Sequence, residues 1–218
     1  MRENYEVRQI PYEQAVPWFT EIHYAHRIPS ISWAFGLYKE KQLVGVVSYG
    51  TPASSTLLSG VCGEENADKV IELNRLVIRE GEEKNCASLL VGKSLKMLPL
   101  PKIVVSYADT GQGHIGKIYQ ACNFIYTGVS SPFTDPRVKG LEHQHHATYA
   151  HGRTNEELRE EYGDRLYFVE RARKHRYVYF AGCPELKEKL NYKSEPYPKG
   201  KSTRYAVTSE LKTTNYLF

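Results

Sequence analysis

Residues 102–128 read KIVVSYADTGQGHIGKIYQACNFIYTG, and this stretch decides the fold. The run Ile103-Val104-Val105 is β-branched and apolar, as in a buried strand over 102–107. Asp109-Thr110-Gly111-Gln112-Gly113 follows as a polar loop punctuated by glycine. Over 114–122 the spacing turns helical, with Ile115, Ile118 and Cys122 on one face and Tyr119 one residue over. Asn123 suits a left-handed helix end, and Phe124 opens another strand. A polar loop at the C-terminal end of a buried strand is where α/β proteins place chemistry.

Toward the N-terminus, residues 5–10 alternate as a strand that Pro11 breaks. Residues 12–26 read as a helix with Ala15, Trp18, Phe19 and Ile22 inward. Residues 31–38 and 43–49 form a hairpin across Lys39-Glu40-Lys41-Gln42, and 51–62 is a loop rich in Ser, Pro and Gly. Residues 70–79 are a strand, and 86–98 a helix whose core face is Leu89, Leu90, Leu95 and Leu98. Toward the C-terminus, 129–153 is irregular and 154–162 is a helix opened by a capping box, Thr154 with Glu157. Residues 166–169 and 177–180 suit a final hairpin, 184–190 a short helix, and 191–218 a polar, lysine-rich surface arm. The expected class is α/β (α+β), organised as a core over 1–150 and a C-terminal hairpin, helix and basic tail over 151–218, within a single domain overall.

The chain has 218 residues, 41% of them hydrophobic, enough for a sizeable core. Its net charge of +4 permits a polyanionic partner without demanding one. The cations gather late: Arg171, Arg173, Lys174, Arg176, Lys187, Lys189, Lys193, Lys199, Lys201 and Arg204. Tyr177, Tyr179, Tyr192, Tyr197 and Tyr205 are interleaved with them, a pattern suited to nucleic acid or to a solvated basic face. Cys62, Cys86, Cys122 and Cys183 show no paired spacing, which argues against a disulfide framework or zinc ribbon and fits a reducing cytoplasm. No signal-peptide region or membrane-length apolar run is present, so no membrane partner is expected.

Two resemblances add to this. The element order resembles the GNAT N-acetyltransferase fold, a mixed, mostly antiparallel sheet flanked by helices. Tyr119-Gln120-Ala121-Cys122-Asn123-Phe124 has the spacing of the GNAT Tyr-x-x-x-Gly-Phe pattern, with Asn123 in place of Gly. The GNAT diphosphate loop corresponds to Glu82-Glu83-Lys84-Asn85-Cys86-Ala87, where Asn85 replaces a glycine and two glutamates oppose a diphosphate. By that correspondence Asn85, Cys86 and Ala87 would be cofactor-binding. A narrower resemblance rests on His23-Tyr24, Glu72-Leu73-Asn74-Arg75-Leu76, Val104-Val105-Ser106-Tyr107-Ala108-Asp109 and Gly113-His114-x-Gly116-x-x-Tyr119-Gln120-Ala121. These residues are similar to those of the Mom family of phage DNA-modification proteins. That resemblance implies conversion of the adenine N6-amino group in double-stranded DNA to a carbamoylmethyl derivative, protection from restriction, a flipped adenine and a bacterial host cytoplasm.

Individual residues carry two readings each. Asp109 suits an acceptor for the adenine amine or a cap on its own turn. Tyr119 suits a general acid or a core phenol, and Arg75, inside an apolar strand, an anion fork or a structural pair. His23 suits a base, a metal ligand or a favourable charge at a helix end, and Ser94 a donor contact or small packing residue. Tyr24, Tyr107, Gly111 and His114, with Arg173, Lys174 and Arg176, are the expected DNA contacts. His143, His145, His146 and His151 cluster without the spacing of a standard metal motif, so no metal is expected. The donor is left open among an acyl-CoA, an aminoacyl-type donor and another activated carbon, and a homodimer is compatible. Two other functions fit: a CoA-dependent N-acyltransferase on a small-molecule or protein amine, and a non-catalytic DNA-binding module.

Overall fold

The computed structural model describes residues 4–144 and 146–201. The chain divides into two compact units, Met1–Gly128 with His175–Phe218, and Val129–Lys174. The first unit opens with β1 (Tyr5–Ile10) and α1 (Tyr12–Pro17), which runs into a π-helical turn over Trp18–Ile22. β2 (Trp33–Lys39), β3 (Gln42–Gly50), α2 (Ser55–Cys62) and β4 (Val70–Ile78) follow, then α3 (Cys86–Ser94), β5 (Lys102–Asp109), α4 (Lys117–Ala121) and β6 (Ile125–Val129). The second unit holds β7 (Thr134–Val138), α5 (Ala147–Ala150), α6 (Asn155–Tyr162) and β8 (Leu166–Glu170). β9 (Lys174–Ala181) returns to the main sheet, and a 3-10 turn covers Pro184–Lys189.

The main sheet runs β1-β2-β3-β4-β5-β9-β6. Its first four strands are mutually antiparallel, and β4 and β5 are parallel. The mixed, mostly antiparallel sheet with flanking helices agrees with the fold class expected. Its alternating side chains feed three apolar clusters. One gathers Phe35, Tyr49, Leu73, Leu90, Val104 and Phe124 beneath α3 and α4. A second joins α2 to Val70, Ile103, Val105, Val178 and Phe180. The third packs Trp18 and Phe19 against Ala34, Val46 and Val77.

Several local expectations change. Residues 51–62 were expected to be a loop but contain α2, whose Leu57, Val61 and Cys62 are buried in the second cluster. The helix expected from 114 begins only at Lys117, because Gly113 (φ 66°) and Gly116 (φ 71°) adopt left-handed backbone. Its end is as the spacing predicts: Asn123 sits at φ 60°, and the Phe124 amide donates to the Tyr119 carbonyl at 3.0 Å. The Thr154 capping box is present. The expected final hairpin does not form; β8 pairs with β7, while β9 lies between β5 and β6. The compact units part at 128/129 and 174/175. The start of the expected surface arm is tied down: the Asn191 amide donates to Val61, the Glu195 amide to Tyr126, and the Tyr197 hydroxyl to the Phe124 carbonyl at 2.7 Å. The rest of that arm, with Arg204 and Tyr205, lies outside the described residues.

One irregularity sets the site. Ser48 pairs with Arg75 but Tyr49 pairs with Leu73, so Asn74 is an extra residue on β4, a β-bulge. Asn74 accepts from the Ser48 hydroxyl at 2.7 Å and donates to the Ser30 carbonyl at 2.6 Å, which pins the bulge. A one-residue shift exchanges the two faces of a strand. Ile71 and Leu73 face the cluster under α3, whereas beyond the bulge Leu76 and Ile78 do so and Val77 faces α1. Simple alternation put Arg75 on the face of Leu73; the bulge moves it to the side of Val77.

Gly116 offers a stability test. A Cβ there would lie 2.3 Å from Cε2 of Tyr177, on left-handed backbone. Gly116→Ala is expected to destabilise the protein by about 2–4 kcal/mol, combining backbone and overpacking terms. Chemical denaturation measures this, and an unchanged midpoint would contradict the geometry.

Candidate active site

Pairing between β4 and β5 runs from Val70↔Ile103 to Leu73↔Ser106 and stops there, although both strands continue. A cavity of about 640 Å³ lies at the parting. Leu76, Val77 and Ile78 line it from β4, Ala108 from β5, and Gly116, Lys117, Ile118 and Tyr119 from the start of α4. His23, Tyr24 and His114 complete a polar aromatic side.

The π turn delivers His23. Pro17 has no N–H for the helical ladder, and the chain widens so that the His23 amide donates to the Trp18 carbonyl at 3.0 Å. The next turn is closed by the His26 amide on the His23 carbonyl at 2.9 Å, with His26 held at φ 43°. The His23 ring is buried and stacks on Tyr24 at 4.3 Å. Its Nδ1 accepts from the Ala25 amide at 3.0 Å, which leaves the proton on Nε2. Burial, reinforced by the nearby Arg75 guanidinium, pulls its pKa down to about 3. This imidazole is neutral at ordinary pH. His114 meets Tyr24 edge-on at 6.0 Å, and burial lowers its pKa too, against the pull of Asp109.

Asp109 and Arg75 are near enough to act electrostatically on Tyr24. The Asp109 Oδ1 accepts from the Gly111 amide at 2.8 Å, so it does cap its own turn, and Oδ2 has no hydrogen-bond partner among the described residues. Arg75 donates from Nη1 to the Asn74 carbonyl at 2.7 Å, while its Nε is buried without a partner among the described residues. Burial lowers the guanidinium pKa, with Tyr24 and Glu72 opposing that shift. Opposite, burial pushes the Tyr119 phenol up, opposed by a hydrogen bond with Ser106. The Ser106 hydroxyl itself donates to the Leu73 carbonyl at 3.0 Å, at the last paired rung. Tyr119 is therefore held protonated, as an acid or hydrogen-bond donor must be.

Other expected residues lie elsewhere. Ser94 is fully buried, 2.6 Å from the Tyr49 hydroxyl, and donates to the Val91 carbonyl. Tyr107 packs against the second cluster, and burial raises its pKa to about 12. Gly111 is exposed at the turn that Asp109 caps. Arg176 donates to the Thr127 hydroxyl at 2.9 Å and lies 3.4 Å over the Tyr192 ring. In the second unit, Arg171 forks onto Asp135, Arg173 donates to the Ser130 carbonyl, and Lys174 is exposed. His146 lies 3.5 Å from Asp135, His143 and His151 are exposed, and His145 lies outside the described residues. Among the described residues no three of His, Cys, Asp and Glu converge as metal ligands would, and no helix is long and apolar enough to cross a membrane.

At the start of α3, Asn85 provides no side-chain cap, Cys86 is buried and Ala87 lines the cavity with Lys84. Glu82 is drawn away to the Tyr5 hydroxyl at 3.0 Å and to Lys39. The charge that opposes a phosphate in the sequence is thereby partly neutralised. Ser106 escaped the sequence reading as a site residue, whereas Gly116 suits close approach of the backbone to a ligand. A serine within an apolar strand was the available signal.

Residues 4–199 match the model of the Mom protein family. The chain belongs to that family. Over 111 residues it is 31% identical to the methylcarbamoylase mom of Escherichia phage Mu, a match covering 49% of this chain and 46% of that protein. The chain thus spans about half the length of this Mom relative. It is similar in structure to the ribosomal-protein-S5-alanine acetyltransferase of Vibrio fischeri, at 14% identity and TM-score 0.45, covering 83% of this chain and 95% of that one. It is also similar to a GNAT family acetyltransferase from Elizabethkingia anophelis, at 12% identity and TM-score 0.42, covering 82% and 99%.

Two measurements check this geometry. His23 binds its proton less well in the folded state than when unfolded, so its contribution to stability is complete above pH 6.5 and is lost as pH falls toward about 3. The limit is about 1.4 kcal/mol per pH unit. His23→Gln is expected to flatten the acid limb of the stability curve over that window, and parallel curves would contradict it. Ser94→Ala leaves the buried Tyr49 hydroxyl short of a partner and should cost about 1–3 kcal/mol in urea denaturation.

Proposed function

We propose that this Mom family chain is a transferase that acts on DNA, converting the N6-amino group of adenine to a carbamoylmethyl (acetamido) derivative. The observation that carries the reading is the cavity where β4 and β5 part, with an aromatic wall near a carboxylate on one side and a protonated phenol on the other. Family membership and the activity in the name of the phage Mu relative point the same way.

Adenine's exocyclic amine is weakly nucleophilic because its lone pair is delocalised into the ring, so the protein must position it and accept its proton. Flipping the base out of the duplex costs about a few kcal/mol. Tyr24 and His114 offer aromatic surface to the extruded base, and the Asp109 Oδ2 is the acceptor for the N6 hydrogen. Tyr119 and the Arg75 Nε–H are the donors for the incoming group's oxygen. A cavity of about 640 Å³ suits a base together with a small transferred group. In the first unit, exposed Lys187, Lys193, Lys199 and Lys201 are cations available to the phosphate backbone, whereas Arg176 is engaged internally. The substituted amine would then escape restriction in a host cytoplasm.

A second reading, a CoA-dependent N-acyltransferase, is favoured by Lys84 and Ala87, which line the same cavity at the start of α3. A CoA thioester would supply an activated carbon, and those two residues with the first amides of α3 would hold its phosphates. Calorimetry with acetyl-CoA separates the readings: tight binding lost on Lys84→Glu would support the second.

For the first, the protein is expressed in a bacterium and host DNA is digested to nucleosides for mass spectrometry. A modified deoxyadenosine is expected, reduced about 100-fold or more by Asp109→Asn. Unmodified bases alongside soluble, folded protein would sink it.

A further inference from the structure

Three features of His23 coincide. It lines the cavity, its ring is 8% exposed, and its Nδ1 is occupied by the Ala25 amide. Among the described residues its Nε2–H has no partner. The Nε2 is not sealed off, as the buried unpartnered atoms are, so its hydrogen is open to a ligand or water in the cavity. Flipping the ring would put Cδ2–H in place of Nδ1 and leave the Ala25 amide without its acceptor, and the other tautomer would set N–H against N–H there, so both ring orientation and tautomer are held. Stacking on Tyr24 at 4.3 Å fixes its plane as well. The group is thus a rigid hydrogen-bond donor, neutral across the working pH range and directed at whatever fills the cavity.

Asp109 is tied to the same aromatic side: its charge acts on Tyr24, which stacks on His23, and on His114, and its Oδ2 is an acceptor without a partner among the described residues. One acceptor and one donor beside an aromatic surface match a planar heterocycle that carries an amine next to a ring nitrogen. We propose that His23 is a specificity-determining residue whose Nε2–H donates to the ring nitrogen flanking the amino group of the target base, while Asp109 accepts from the amine. This rests on the adenine-modifying reading and deepens it. Adenine presents such an edge twice, with N1 on one side of N6 and N7 on the other. Cytosine presents one such edge, N4 beside N3, so the pair selects an amino-bearing base; thymine, with carbonyl oxygens and a ring N–H, has none. Guanine's O6/N1–H edge reverses donor and acceptor and would set N–H against N–H at His23. His23 therefore acts by selection of the base, without taking up a proton.

The test uses the full-length protein labelled with nitrogen-15 at histidine. Free 9-methyladenine is the probe, with its 1-deaza and 7-deaza analogues, each lacking one ring acceptor. The expected spectrum shows His23 as the Nε2–H tautomer, and its Nε2–H proton moves downfield on adding 9-methyladenine. One of the two analogues should bind about tenfold more weakly and leave that proton unmoved. His23→Leu should abolish the difference among the three ligands, and His23→Gln, which keeps a donor, should restore part of it. An Nδ1–H tautomer, or equal response to all three ligands including no response, would overturn the inference. Modified deoxyadenosine in host DNA together with either result would defeat only the role of His23. Its absence would defeat the DNA-modification reading itself.

Discussion

Beyond Leu73 and Ser106, β4 and β5 run on without pairing to each other, and every functional feature follows from that parting. Strands that stop pairing leave backbone groups that need other partners. Some are met locally: the Ser106 hydroxyl covers the Leu73 carbonyl and Arg75 covers that of Asn74. The remainder edges a cavity. The bulge at Asn74 lies one residue past the last paired rung, so the same short segment both ends the pairing and turns Arg75 toward His23 and Tyr24. Without it, the guanidinium would fall on the face that packs under α3, among Leu73, Leu90 and Val104.

Much of this was legible in residues 102–128. The apolar run of β5, the polar turn after it and the left-handed Asn123 are local matters of propensity and spacing, and all stand where the reading placed them. The bulge was not legible, because an extra residue in a strand leaves no mark on composition. Nor was the partner of β9: an apolar run bounded by turns states that a strand forms, not which edge receives it. Of the site residues, His23, Tyr24, His114 and Tyr119 line one cavity, whereas Ser94 is spent on Tyr49. A buried serine one helical turn from a leucine reads alike in either role. The Asp109 side chain combines both of its readings, one oxygen capping and the other without a partner among the described residues.

The late basic, tyrosine-rich stretch shows how composition overstates an interface. Tyr177 is fully buried over Gly116, Tyr197 anchors the chain to Phe124, and Tyr192 carries the Arg176 guanidinium on its face. Such stacked and forked arginines serve the fold before they serve a ligand. In the proposed DNA reading, charge near a phosphate backbone falls to the exposed lysines, a division suited to contacts that do not depend on sequence.

The place of β9 has a consequence for how the molecule is made. The strand lies between β5 and β6, yet the whole of Val129–Lys174 is synthesised before most of it. Until β9 emerges from the ribosome, β5 and β6 have no neighbour to join them, and Ile103 and Val105 lack the cover that Val178 and Phe180 provide. Closing the sheet is thus a late, long-range event, which makes folding slow and leaves apolar strand edges open while it waits. Loop-closure entropy rises only slowly with length, so the inserted unit can grow or shrink over evolutionary time at little thermodynamic cost to the sheet that encloses the cavity.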